Sequence, residues 1–153
     1  MMSDFAAPRF FDDLKQGETF QTGEILLTRQ MIIDFATDYD PQPMHLDEAA
    51  AQNTLFGRLV ASGWQVASLS MRLMVEARPF GSTPLIGLEI DRIRFQSAVV
   101  PGTRLAATVR ITALEESSNP RRGFVRLGLE TRNAATGEAL LSFDSKAIIP
   151  RQA

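Results

Sequence analysis

Between Gly63 and Arg78, apolar residues fall on almost every side of a helical projection. Trp64, Val66, Ala67, Leu69, Met71, Leu73, Met74, Val75 and Ala77 leave Gln65, Arg72 and Glu76 as one narrow polar stripe. This pattern predicts a helix buried on most sides, ended by Pro79 and Gly81. The period then changes from that of a helix to that of strands. Leu105, Ala107, Val109 and Ile111 alternate with Ala106, Thr108, Arg110 and Thr112, and Val125, Leu127 and Leu129 alternate with Arg126, Gly128 and Glu130. Four strands are predicted over 87–97, 103–115, 123–133 and 138–150. Pro101-Gly102, Ser118-Asn119-Pro120 with Gly123, and Asn133 to Gly137 supply the turns. Such short turns imply an antiparallel meander, and a sheet wrapped around the long helix is the economical way to bury both.

Upstream, residues 1–18 are polar and mixed, with Phe5, Phe10, Phe11 and Leu14 as anchoring points and Gly17 as a turn. A first strand is predicted over 20–27, with Gly23 marking a bulge. Thr28 is placed to cap a helix over 29–38, in which Met31, Ile32 and Phe35 recur at helical spacing. A second short helix is expected near 47–52, its start favoured by the charges of Asp47 and Glu48. A connection punctuated by Gly57 follows.

At 153 residues the chain suits one domain with one substantial core. Apolar residues at 44% and charged residues at 22% are ordinary for a folded soluble protein. The net charge of −2 gives no reason to expect nucleic acid or an anionic membrane as partner. Without cysteine there is no disulfide, thiolate metal site or cysteine nucleophile, and one histidine excludes a multi-histidine metal site within the chain. The amino terminus lacks the pattern of a signal peptide and no run is long enough to span a membrane. A soluble, cytoplasmic protein is the expectation.

Candidate chemistry centres on Phe35-Ala-Thr-Asp-Tyr-Asp-Pro-Gln-Pro-Met-His45, which contains the only histidine. Pro41 and Pro43 push Asp40 and Gln42 toward extended conformations, so 40–45 is expected to be a stiff turn ending the helix. Two readings are open on residue types alone. Either His45 is a packed or solvated histidine after a helix stop, or Asp40 and His45 form an acid/base pair at fixed separation. Ala61-Ser62-Gly63-Trp64 then opens the long helix. Ser62 suits the N-cap, and the Gly63 N–H would be free where the helix dipole favours negative charge.

Phe-Ala-x-x-x-Asp-x-x-Pro-x-His-x-Asp, followed about eighteen residues later by a small-residue, glycine and hydrophobic helix start, resembles the MaoC-like dehydratases and R-specific enoyl-CoA hydratases of the hotdog fold. The resemblance runs from about Phe11 to Ile149 and includes Arg94-Phe95-x-x-x-Val-Val-Pro-Gly-Thr. It implies an α+β hotdog domain over the whole chain. The implied activity is reversible hydration of an enoyl thioester carried by coenzyme A or acyl carrier protein, with no cofactor. Asp40 would be the general base, His45 would orient water and shuttle the proton, and the Gly63 N–H would hold the oxyanion. Tyr39, Gln42, Ser62, Trp64 and Phe95 are the candidate substrate-binding residues, and Leu69, Met71 and Phe80 further candidates for an acyl tunnel. Arg92, Arg94, Arg121 and Arg122 are either carrier-phosphate ligands or solvated arginines. One departure is that the family's Gly-Asp-x-Asn-Pro reads Tyr39-Asp40-Pro41-Gln42-Pro43 in this chain. Hotdog domains are generally paired, so a homodimer or dimer-based oligomer is expected. The alternatives are a hotdog thioesterase, or an acyl-thioester binding subunit without turnover, for which Gln42 is the only support.

Overall fold

A computed structural model describes residues 6–153; Phe5, one of the expected anchors, lies outside them. After a single 3₁₀ turn at Phe11–Asp13 come strand β1 (Thr19–Leu27), helices α1 (Arg29–Tyr39), α2 (Pro43–Leu46), α3 (Glu48–Ala51) and α4 (Gly63–Glu76), then strands β2 (Ile86–Phe95), β3 (Thr103–Glu116), β4 (Arg122–Asn133) and β5 (Ala139–Pro150). The local signals explain most boundaries. Thr28 Oγ1 accepts from Met31 N–H at the start of α1, and the Asp47 carboxylate accepts from Ala50 N–H at the start of α3. A register shift between Gln21 and Glu24 puts the β1 bulge at Gly23.

The five strands form one antiparallel sheet in the order β1-β3-β4-β5-β2. The meander therefore holds for β3, β4 and β5, whereas β2 pairs with β5 at the far edge and not with its successor. The reason is the segment between β2 and β3. Pro101-Gly102 does not turn the chain straight back on itself. Residues 96–102 run across the end of the sheet, with Gln96 N–H donating to Leu140 C=O, Ala61 N–H donating to Val99 C=O and Gly102 N–H donating to Leu27 C=O.

Helix α4 lies against this sheet. Val66, Leu73 and Met74 enter a core shared with Leu105, Val109, Ile111, Leu127 and Ile149. Two buried polar links fix the helix in place: the Ser70 and Thr131 hydroxyls are 2.6 Å apart, joining α4 to β4, and Gln65 Nε2 donates to Met31 C=O of α1 at 2.8 Å. The expectation of burial on most sides needs correction. Within one chain the sheet covers one face only, leaving Trp64, Met71 and Val75 substantially exposed.

Candidate active site

Asp40 is the C-cap of α1, its N–H donating to Ala36 C=O at 2.9 Å. Gln42 is extended as expected, but the stiff turn expected over 40–45 becomes a short helix from Pro43 onward. Pro43 occupies the first position of α2, where its missing N–H costs nothing and its fixed φ favours the helix. The resulting turn carries His45 into the protein, where it is buried.

The His45 ring is held from both sides. Nδ1 lies 2.7 Å from the Val60 carbonyl, which can only accept, so Nδ1 carries the hydrogen and Nε2 is left facing Asp40. Nε2 is 3.4 Å from Asp40 Oδ2. The carbonyl is itself fixed in place, because Val60 N–H donates to Met44 C=O at 2.9 Å.

Asp40 is clamped as well. Ser62 Oγ donates to Oδ2 at 2.7 Å and Gln42 Nε2 donates to Oδ1 at 2.6 Å. The Ser62 hydrogen bond, helped by Gln42 and by the neighbouring His45, holds the carboxyl below its ordinary range, against partial burial acting the other way. Asp40 is therefore an anion throughout the neutral range. Ser62 also caps α4, accepting from Trp64 N–H at 3.3 Å, so one hydroxyl ties the helix start to the carboxylate.

Gly63 is the first residue of α4, and its N–H has no intrahelical partner. A Cβ there would stand 2.6 Å from a carbon of the Phe95 ring, so any side chain at this position would have to displace that aromatic. Phe95 in turn meets Trp64 edge-on at 5.8 Å between ring centroids. Asp40, His45, Gly63, Trp64 and Phe95 all line one cavity of about 450 Å3, whose remaining wall is largely apolar.

Three expected site residues are placed differently. Tyr39 is 75% exposed, packs against Phe35 and does not line the cavity. Ser62 is fully buried and Gln42 turns its amide to Asp40, so both support the carboxylate and neither lines the cavity. Of the further tunnel candidates, Phe80 belongs to the core, Met71 lines a separate groove, and Leu69 packs against the core. Val60, Val99, Leu140 and Leu141 were not singled out from the sequence, yet they line the cavity. Val60 acts through its backbone carbonyl, for which no side-chain signal exists. The adjacent buried pair Leu140-Leu141 does break the alternation of β5, and that break was the available clue.

The comparisons with known proteins agree with this geometry. Residues 13–133 match the family model described as a MaoC-like domain. The chain is 30% identical to the uncharacterised protein YdeM of Bacillus subtilis over 80% of its own length and 86% of the relative's. It is 21% identical to an (R)-specific enoyl-CoA hydratase of Rhodospirillum rubrum, over 98% of each chain. Among solved structures, a MaoC-like dehydratase from Rhodospirillum rubrum superimposes with a TM-score of 0.84 at 32% identity, covering 94% of this chain and 98% of that one. An antiparallel sheet packed on one face of a long helix, a buried His45 facing Asp40, and these likenesses lead to one assignment: the chain belongs to the MaoC-like dehydratase family, with the hotdog fold.

Proposed function

We propose that the protein catalyses the reversible hydration of an enoyl thioester. The observation that carries this reading is the meeting of an ionised carboxylate, an oriented imidazole and a free helix N–H at one mostly apolar cavity. In the hydration direction, Asp40 takes a proton from a water that His45 Nε2 helps to orient, and the water oxygen bonds to Cβ. The π electron pair moves toward the thioester oxygen, where the Gly63 N–H meets the developing negative charge. A single donor of this kind contributes about 3–4 kcal/mol to the transition state. The proton returns to Cα on the same face by way of His45, and no cofactor is needed.

The apolar wall suits a hydrocarbon acyl group, and among its lining residues there is no lysine or arginine to pair with a second carboxylate on the substrate. Gln42, the one feature that favoured a subunit without turnover, keeps a hydrogen bond to Asp40 despite its extra methylene. We also propose a homodimer. Trp64, Met71 and Val75 of α4 and Leu88, Ile90 and Phe95 of β2 form a half-exposed apolar face beside an edge strand with free backbone groups. A second copy pairing there would cover both.

The test is turnover of crotonyl-CoA and longer enoyl-CoAs, followed by loss of the conjugated double bond. Asp40→Asn and His45→Gln are each expected to lower kcat by about 100-fold or more. Retention of activity by either variant refutes the roles assigned to Asp40 and His45, and release of free thiol in place of hydration points to a thioesterase.

A further inference from the structure

On the face of the sheet turned away from α4, Arg92, Arg94 and Arg110 surround a depression of about 390 Å3 with Gly128 and Thr112 among its lining residues. We propose that this depression is an anion site that takes a phosphate-bearing ligand, separate from the cavity that holds Asp40 and His45.

Three observations carry it. Among the described residues, none of the three guanidinium groups is within ion-pair reach of a carboxylate. Of the two acids among the lining residues, Glu130 is already tied to Arg132, which leaves Asp144 as the acid there without an ion-pair partner. Like charges gathered around a hollow repel one another, and a multivalent anion relieves that repulsion. Planar guanidinium groups suit phosphate because each can donate to two oxygens.

The second observation is the backbone of Arg92. Its φ is 52°, in the left-handed region that costs a side-chain-bearing residue and not a glycine. It stands at a bulge between Asp91 and Arg94. This extra residue lets Ile90 and Ile93 both face the α4 side while Arg92 and Arg94 face the depression. Glycine would satisfy this backbone more easily, and the arginine that stands there turns its side chain to the depression. The third is Gly128: a Cβ there would stand 3.4 Å from Thr112 and 3.6 Å from the Asp144 carboxylate, and a larger side chain would fill the hollow. Edge pairing of β2 with a second copy uses backbone groups and leaves this face open, so the proposal is compatible with a dimer and independent of the hydratase reading.

The experiment is calorimetric titration of the full chain with inorganic pyrophosphate at low and moderate salt, repeated with Arg92→Gly and Gly128→Val. Saturable binding that weakens with salt is expected, with Kd raised about tenfold or more in both variants. Arg92→Gly is also expected to raise the unfolding midpoint, which separates loss of the site from loss of the fold. Coenzyme A and dephospho-coenzyme A are then used as competitors. Competition by either identifies the carrier's own phosphates as the source, and its absence identifies a free phosphate compound; both outcomes support the site. Failure of wild type to bind pyrophosphate saturably, or equal binding by wild type and both variants, overturns it.

Discussion

Strands β4 and β2 belong to the same sheet and are built to opposite rules. In β4 every second residue from Gly123 to Thr131 is buried, the mark of a strand with one face on a core. In β2 no residue is buried and only Ile93 is partly covered, although Ile86, Leu88, Ile90 and Phe95 are as apolar as their counterparts in β4. A strand that is apolar but uncovered, at an edge, with a bulge and a left-handed arginine, is not shaped by this chain's own core. The difference teaches that the packed core is built on β3, β4 and β5 with α4, while β2 presents an apolar face that this chain leaves uncovered. The cavity draws on both. His45, Val60 and Leu141 form a buried wall, whereas Phe95 of β2 and the exposed Trp64 side chain at the start of α4 form an open one.

The largest effect that would break this comparison is on stability. Leu127→Ala, in the middle of β4 and 1% exposed, is expected to cost about 2–5 kcal/mol through lost burial and the cavity left behind. Ile90→Ala on β2, half exposed, is expected to cost less than about 1 kcal/mol in the monomer. It should weaken self-association instead, shifting the proposed dimer toward monomer in light scattering at micromolar concentration. Urea unfolding of both variants at two protein concentrations checks this. Equal destabilisation by the two, independent of concentration, would show that β2 belongs to the folding core after all.

The same division explains what could be read from the sequence. The strands of the packed region announce themselves by strict alternation, and α4 by its near-continuous apolar surface. Thr28 and Ser62 are legible as caps because the signal is local and chemical, whereas Asp47, expected to act by its charge, caps α3 through its carboxylate. The pairing of β2 with β5 is not legible. Its cause is a crossing segment whose hydrogen bonds, such as Gln96 N–H to Leu140 C=O, connect residues far apart in the chain. At the site, Asp40, His45 and Gly63 could be singled out as residue types with chemistry. The helical turn of His45 could be read two ways, since a proline that ends one helix also fits the first position of the next. Tyr39 offered no signal that separates a packed aromatic at the surface from one at the cavity.

A smaller effect should appear when the buried wall of the site is altered. Ser62→Ala removes the hydroxyl that contributes most to holding the Asp40 carboxyl below its ordinary range. A general base works only when ionised. In the proposed reaction the lowered pKa of Asp40 would extend turnover to lower pH, and loss of the hydroxyl should move the acid limb of kcat/KM for crotonyl-CoA upward in pH. The same variant loses a cap on α4, costing about 1 kcal/mol. A fall in stability with no movement of the acid limb would mean that Ser62 serves the helix alone.

The smallest effect is expected at the open wall. Phe95 lies over Gly63 and meets Trp64 edge-on, so its ring shapes the approach to the helix N–H without touching Asp40 or His45 through any hydrogen bond. An aromatic pair of this kind is worth about 0.5–1.5 kcal/mol. If a comparable amount is used in holding the acyl thioester, Phe95→Ala should raise KM about two- to tenfold, with kcat and the acid limb little changed. Trp64 is the only tryptophan in the chain, so its fluorescence should respond to a bound acyl-CoA in wild type and respond less once the ring is gone. A variant whose kcat falls while KM holds would place Phe95 with the catalytic groups. The proposed division between a fixed chemical wall and an open binding wall would then have to be redrawn through β2 itself.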